Sequence, residues 1–202
     1  MNHSYMALFI AYCAGSLSFA IIVSKFMKLN DPRSYGSNNA GATNVMRSGN
    51  KKAALLTLIG DLLKGTIVVL VFKHLFNHNI DVQTITALAG VLVVIGHIYP
   101  LFFKFKGGKG VATAFGVMLG FNPILALLLV VTWGVVFKIS KISSLSALTA
   151  TVLSPVYAFL LMGNNTYFGA TLVIAFFVLY KHKENVFRLF SGQEHKFKKS
   201  EE

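Results

Sequence analysis

From Gly110 to Phe137 the chain reads GVATAFGVMLGFNPILALLLVVTWGVVF, 28 residues without one Asp, Glu, Lys or Arg. A helix that crosses a bilayer needs about 20 mostly apolar residues, so this run is too long for one crossing and too short for two of full length. Asn122-Pro123 in its middle is a turn signal. The run therefore reads as two short helices joined by a tight hairpin, either two short spans or a re-entrant pair.

The rest of the chain supplies the context. Met6 to Ser24, Val82 to Phe103 and Ile142 to Tyr180 are equally free of charged side chains. Of the 202 residues 54% are hydrophobic and 13% charged, where a soluble domain carries about 25% charged residues. This is the composition of an all-α polytopic membrane protein. Seven hydrophobic segments can be drawn: 5–27, 53–73, 82–103, 109–121, 123–138, 142–162 and 165–181. No internal repeat or linker marks a second domain, so 1–202 reads as one unit, with 191–202 a frayed polar tail. The first basic residue, Lys25, follows the first apolar run instead of preceding it, so that segment is expected to be retained and not cleaved as a signal peptide.

Lys and Arg collect in cytoplasmic loops. With the N-terminus outside, seven crossings place 17 of the 19 basic residues at the inner side, leaving Lys64 within a span and Lys73 outside. Reading 110–137 as a single span would force the basic C-terminus outward. The net charge of +12 is spread over short loops, which suits membrane orientation and anionic ligands better than nucleic acid. Cys13, the single cysteine, lies in an apolar run, so it reads as helix packing and excludes an internal disulfide.

Three polar segments at the inner side carry chemistry. The first, Tyr35 to Arg47, reads YGSNNAGATNVMR. Its small residues let backbone approach a ligand, while Ser37, Asn39, Thr43 and Asn44, with Gly41 between them, offer neutral contacts to phosphate oxygens. Arg47 adds a cation able to grip two oxygens at once. The second, Gly96 to Thr113, contains Lys106-Gly107-Gly108-Lys109-Gly110 at the opening of a helix, where free N–H groups and the positive dipole end favour an anion. It is not a Walker loop, because Lys109 is followed by Gly110 and not by Ser or Thr. His97 near its start and Thr113 at its end complete the candidate phosphate site, His97 as a packed histidine more than as a base. The third, Tyr180 to Asn185, puts His182 and Asn185 three residues apart on one helix face, as site residues or as a cap on the tail. Asp61 and Lys64, also three apart, read as an ion pair inside the second span, structural before catalytic.

Absences narrow the chemistry further. Of the seven acids, no two within the candidate inner site are close in sequence, so a carboxylate-bound Mg²⁺ site cannot be built locally. The His-x4-Asp dyad of common acyltransferases is missing, since Phe102 and Phe187 stand five residues after His97 and His182.

In order and spacing, G-S-x-N-x-G-A-T-N with Arg47, then G-H-x-x-P-x-F-x-x-F-K-G-G-K-G-V-A-T, then H-x-x-N resemble the seven-span acyl-phosphate:glycerol-3-phosphate acyltransferases of bacterial inner membranes. The resemblance covers essentially the whole chain. It implies transfer of a fatty acyl group from acyl phosphate to the 1-hydroxyl of glycerol 3-phosphate, giving lysophosphatidic acid and phosphate, with no coenzyme A, carrier protein, cofactor or metal. It also implies functional roles for Ser37, Arg47, Lys109, His182 and Asn185, with Lys106, Gly107, Gly108 and Gly110 as the phosphate loop. Asn38 departs from the pattern, standing where Gly is usual. The competing classes are a transporter or channel for an anionic metabolite, whose substrate would bind at mid-membrane with access from both sides, and a purely structural scaffold, which leaves the Gly-rich loops without a purpose.

With Cys13 replaced by Ala, an impermeant thiol reagent should reach Asn38→Cys and Lys106→Cys from the same, cytoplasmic side, and Gly163→Cys from the other. Labelling of the first two from opposite sides would refute the topology.

Overall fold

The computed structural model describes residues 2–78, 81–163 and 165–196. Among these the ordered elements are helices: α1 (Asn2–Gly15), α2 (Phe19–Phe26), α3 (Ala42–Met46), α4 (Lys51–Leu75), α5 (Val82–Ile98), α6 (Val111–Phe121), α7 (Pro123–Ser140), α8 (Ser143–Met162), α9 (Thr166–Lys181) and α10 (Lys183–Phe190), with short 3₁₀ turns at Pro32–Ser34 and Leu101–Phe103. Four stretches are long and apolar enough to cross a membrane: Lys51–Leu75, Val82–Phe103, Pro123–Ser140 and Ser143–Met162. The pair α1 and α2, bent by 47°, makes a fifth if it counts as one span, and α6 and α9 are shorter apolar helices. Among the described residues the architecture is all-helical, with the apolar helices of an integral membrane protein.

The central hairpin differs from its expectation in one half. Asn122 turns the chain as expected, its Oδ1 accepting from the N–H groups of Ile124 and Leu125, and Pro123 opens α7 where no N–H is needed. But α7 continues past Lys138 to Ser140, and its 18 residues reach roughly 27 Å, enough to span, whereas the 11 residues of α6 reach only about 16 Å. One helix is short, and the other is not.

Without a hydrophobic drive between helices in lipid, close backbone packing holds the bundle, and small residues make it possible. At the α4–α6 crossing a Cβ on Gly116 would stand 1.9 Å from the Leu62 carbonyl oxygen, and one on Gly65 2.4 Å from the Thr113 carbonyl oxygen. At the α1–α5 crossing the same holds for Gly15 against the Val93 carbonyl oxygen, at 2.2 Å, and Gly96 against that of Tyr12, at 2.2 Å. These crossings fix the start of α6 beside α4 and the end of α5 beside α1.

Two lysines finish helix ends that would otherwise leave bare carbonyls in lipid. Lys73 donates to the carbonyls of Gly120 and Phe121 at 2.7 and 3.2 Å, closing α6. Lys64 donates at 2.7 Å to the carbonyl of Leu17, inside the break between α1 and α2.

Gly116→Val should cost about 1–3 kcal/mol or more by overpacking and lower the melting temperature of the detergent-solubilised protein. Gly134→Ala, where an added Cβ meets nothing within 4 Å, should leave it unchanged; equal effects would contradict the crossing.

Candidate active site

The N-terminal half of α4, the end of α5, the beginnings of α6 and α8, the middle of α7 and the start of α10 meet around a cavity of about 390 Å³. Its polar wall contains Ser37, Asn39, Gly41, Thr43, Asn44, Arg47, His97, Lys109, Gly110, His182 and Asn185. Three segments separated by up to about 140 residues of sequence thus converge on one space.

The first loop is organised around Asn44, which is buried. Its Nδ2 donates to the carbonyls of Pro32 and Tyr35, at 2.6 and 3.0 Å, and its Oδ1 accepts from the Ser37 N–H at 2.9 Å. Ser37 is held at the wall by this amide. Asn38 has φ 52°, a left-handed conformation that Asn tolerates better than most residues, so Asn fits this turn. Thr43 Oγ1 lies 3.3 Å from Ser143 Oγ, tying the loop to the start of α8.

The glycine-rich segment splits into two roles. Lys109 and Gly110 line the cavity with Val111 and Ala112 at the opening of α6. Gly107 and Gly108 stand outside the wall and pack on the end of α5. A Cβ on Gly107 would come within 2.1 Å of the His97 carbonyl oxygen and one on Gly108 within 2.2 Å of His97 Nε2, while the Gly108 N–H donates to that carbonyl at 3.2 Å. Lys106 is exposed outside the wall and Thr113 is buried behind it.

The third segment is tied to the second. Lys109 Nζ donates to Asn185 Oδ1, which leaves the Asn185 amide N–H₂ to donate to Glu194 Oε1 at 3.1 Å. Glu194 Oε2 in turn accepts from Arg188 Nε at 3.0 Å. His182 donates Nδ1–H to the Val178 carbonyl at 2.8 Å, because a carbonyl can only accept, so the neutral ring carries its lone pair on Nε2. Burial pushes the His182 imidazole down to about 4, which keeps it neutral at pH 7. Burial, reinforced by Arg188, also pushes the Lys109 ammonium down to about 8. Arg47 is lowered by burial as well, though a guanidinium stays charged at neutral pH.

Glu194 and His195, which also line the cavity, were not among the candidates. Residues 191–196 read as part of a polar tail, yet Gly192, at φ 70°, turns the chain so that the Gln193 N–H donates to the carbonyl of Arg188 in α10 and Glu194 folds back onto Asn185. Residues 197–202 of that tail lie outside the described residues. Asp61, Ser143 and Ser144 also lie on the wall, and its apolar part includes Leu58, Leu62, Phe115, Val130, Trp133 and Ala147.

A family model described as glycerol-3-phosphate acyltransferase matches residues 5–192. The chain belongs to the glycerol-3-phosphate acyltransferase family. It is 53% identical to the family protein of Chromobacterium violaceum, over 92% of this chain and 91% of that one, and 48% identical to that of Neisseria meningitidis serogroup C, over 94% and 95%. It is also similar to the crystal structure of PlsY (YgiH), an integral membrane glycerol 3-phosphate acyltransferase, in its glycerol 3-phosphate form, with a TM-score of 0.90, 36% identity and coverage of 97% and 96%. The lysophosphatidic acid form of the same protein gives 0.89 and 35%.

For this acyltransferase the two shifted groups set a pH window. Lys109 is charged below its pKa of about 8 and loses its proton above it, and His182 is a neutral acceptor above about 4 and a cation below it. The kcat/KM for glycerol 3-phosphate should therefore fall as pH rises through about 8 or drops through about 4. Lys109→Arg should move the alkaline limb upward; an unmoved limb would assign it to another group.

Proposed function

We propose that the cavity transfers a fatty acyl group from acyl phosphate to the 1-hydroxyl of glycerol 3-phosphate, giving 1-acyl-glycerol 3-phosphate (lysophosphatidic acid) and inorganic phosphate as the first step of phospholipid synthesis. The observation that carries this reading is the convergence of Lys109, Arg47 and the open end of α6 beside a neutral His182 in one cavity that apolar side chains also line. Both substrates bear phosphate, and cations held in partly buried positions bind phosphate strongly. The apolar wall of Leu62, Phe115, Val130 and Trp133 suits the start of an acyl chain.

In the proposed reaction the glycerol hydroxyl oxygen attacks the acyl carbonyl carbon. The C–O bond to phosphate breaks, and the departing phosphate takes up the hydroxyl proton. His182 Nε2 accepts a hydrogen bond from the hydroxyl and orients its lone pair, while Ser37 contacts the donor's phosphate. Asn185 holds Lys109, and Arg47 and Lys109 balance the phosphate charge. A good leaving group and two oriented reactants leave positioning and charge neutralisation as the main demands. Asn39, Gly41, Thr43, Asn44 and Gly110 complete the phosphate surroundings.

We also infer seven crossings, with the N-terminus outside and the site facing the cytoplasm at the bacterial inner membrane. The support is the distribution of basic residues, 17 of 19 on one side in that arrangement.

Purified protein given palmitoyl phosphate and glycerol 3-phosphate, with chelator present, should release phosphate and 1-acyl-glycerol 3-phosphate in equal amounts. Absence of turnover, with glycerol 3-phosphate uptake into vesicles instead, would replace the enzyme by a transporter. Arg47→Ala should lower kcat/KM by about 10- to 150-fold, the value of one charge-assisted hydrogen bond. A labelled acyl adduct trapped on Ser37 would replace direct transfer by a covalent intermediate.

A further inference from the structure

The reaction outlined above makes no use of three buried titratable side chains beside the cavity, Asp61, Lys64 and His97, each no more than 6% exposed. The expected pair is present, with Lys64 Nζ 2.7 Å from Asp61 Oδ1. It is not a closed pair. The same Nζ lies 2.7 Å from the Leu17 carbonyl oxygen and 3.0 Å from His97 Nδ1.

An ammonium has three protons and no lone pair. Here it faces a carboxylate oxygen, a carbonyl oxygen and a ring nitrogen; Nδ1 also lies 3.3 Å from Asp61 Oδ1, but its shorter approach, 3.0 Å, is to the ammonium, so Nδ1 accepts. An Nδ1–H would set two donors against each other at 3.0 Å. The ring proton therefore sits on Nε2. That nitrogen lies against Gly108, close enough that a Cβ there would come within 2.2 Å of it, and both His97 and Asp61 form part of the cavity wall.

We propose that the Asp61–Lys64 pair holds His97, a phosphate-site candidate from the sequence, as a neutral imidazole that offers Nε2–H to a phosphate oxygen in the cavity, with Asp61 and Lys64 as its positioning residues. The proposal rests on the phosphate-site reading of the cavity and adds to it a donor with a fixed tautomer. It also gives the ion pair a reason to be ionic. An apolar pair of similar volume would satisfy packing equally well, but would leave the ring free to present either nitrogen. The phosphate could belong to glycerol 3-phosphate or to the acyl donor, and the two are separable by their KM values.

Wild-type protein and the variants His97→Gln, His97→Asn and Asp61→Asn/Lys64→Met would be compared in detergent for melting temperature, kcat, and KM for glycerol 3-phosphate and for palmitoyl phosphate. Gln places its amide N–H₂ near the position of Nε2, and Asn places its own near Nδ1. The expected result is a KM raised tenfold or more in His97→Asn for the substrate whose phosphate is held, restored to within about threefold by Gln. The double variant should melt close to wild type yet show the same KM defect. If Asn and Gln are equally active, or equally impaired while folded, or if the folded double variant keeps the wild-type KM, the proposal fails. Should a variant not fold, ¹⁵N-histidine spectra of the wild type decide. A neutral Nε2–H form whose Nε2 signal moves on adding glycerol 3-phosphate or inorganic phosphate supports it, and an Nδ1–H form or an unmoved signal overturns it. Wild-type protein without turnover would instead reject the enzymatic reading itself.

Discussion

The site depends on how Lys109 is restrained. Its Nζ is held by the Oδ1 of Asn185, a neutral acceptor, and not by a carboxylate. A neutral partner fixes the direction of the ammonium without cancelling its charge, so the field remains for an incoming phosphate. The carboxylate of Glu194 is set one step further out, against Arg188 and the donor side of the same amide. That arrangement also determines which way the Asn185 amide faces, since its nitrogen is committed to Glu194. Electrostatics and amide orientation are thus one constraint.

The helices exist in this architecture to bring such groups to one end. Glycine crossings let α6 lie on α4 and α5 on α1 at backbone contact, so the end of α5, carrying His97, and the beginning of α6, following Lys109, are placed by rigid packing. The lysines within the helices act on backbone. Lys73 closes α6 and Lys64 closes the break after α1. A transporter would need access from both faces, whereas here, Asp61 within α4 apart, the cavity's polar wall comes from helix termini and loops.

Much of this was legible in the sequence, and what was not has physical causes. The apolar runs announce themselves because lipid tolerates no unpaired charge, and Asn122-Pro123 announces the central turn because each residue has a defined job at a helix start. Lys138 concealed the length of α7: a long basic side chain can reach toward an interface while its backbone stays helical, so counting uncharged residues ended the helix too early. The break at Ser16–Ser18 depends on Lys64 from another helix, and no local residue reports that. The motif places Gly107 and Gly108 in a phosphate loop, and the fold adds a close contact with His97 that leaves no room for side chains there. Glu194 was passed over as tail; the available signal was Gly192, a helix-ending residue just after an amphipathic segment with Phe187 and Phe190 exposed on it.

A structure of this chain with glycerol 3-phosphate bound tests the account most directly. The phosphate should lie in the cavity within hydrogen-bond distance of Lys109 or Arg47, with Lys109 still held by Asn185 and a hydroxyl directed at His182 Nε2. A phosphate bound at mid-bundle, or one that leaves both cations uncontacted, would contradict it.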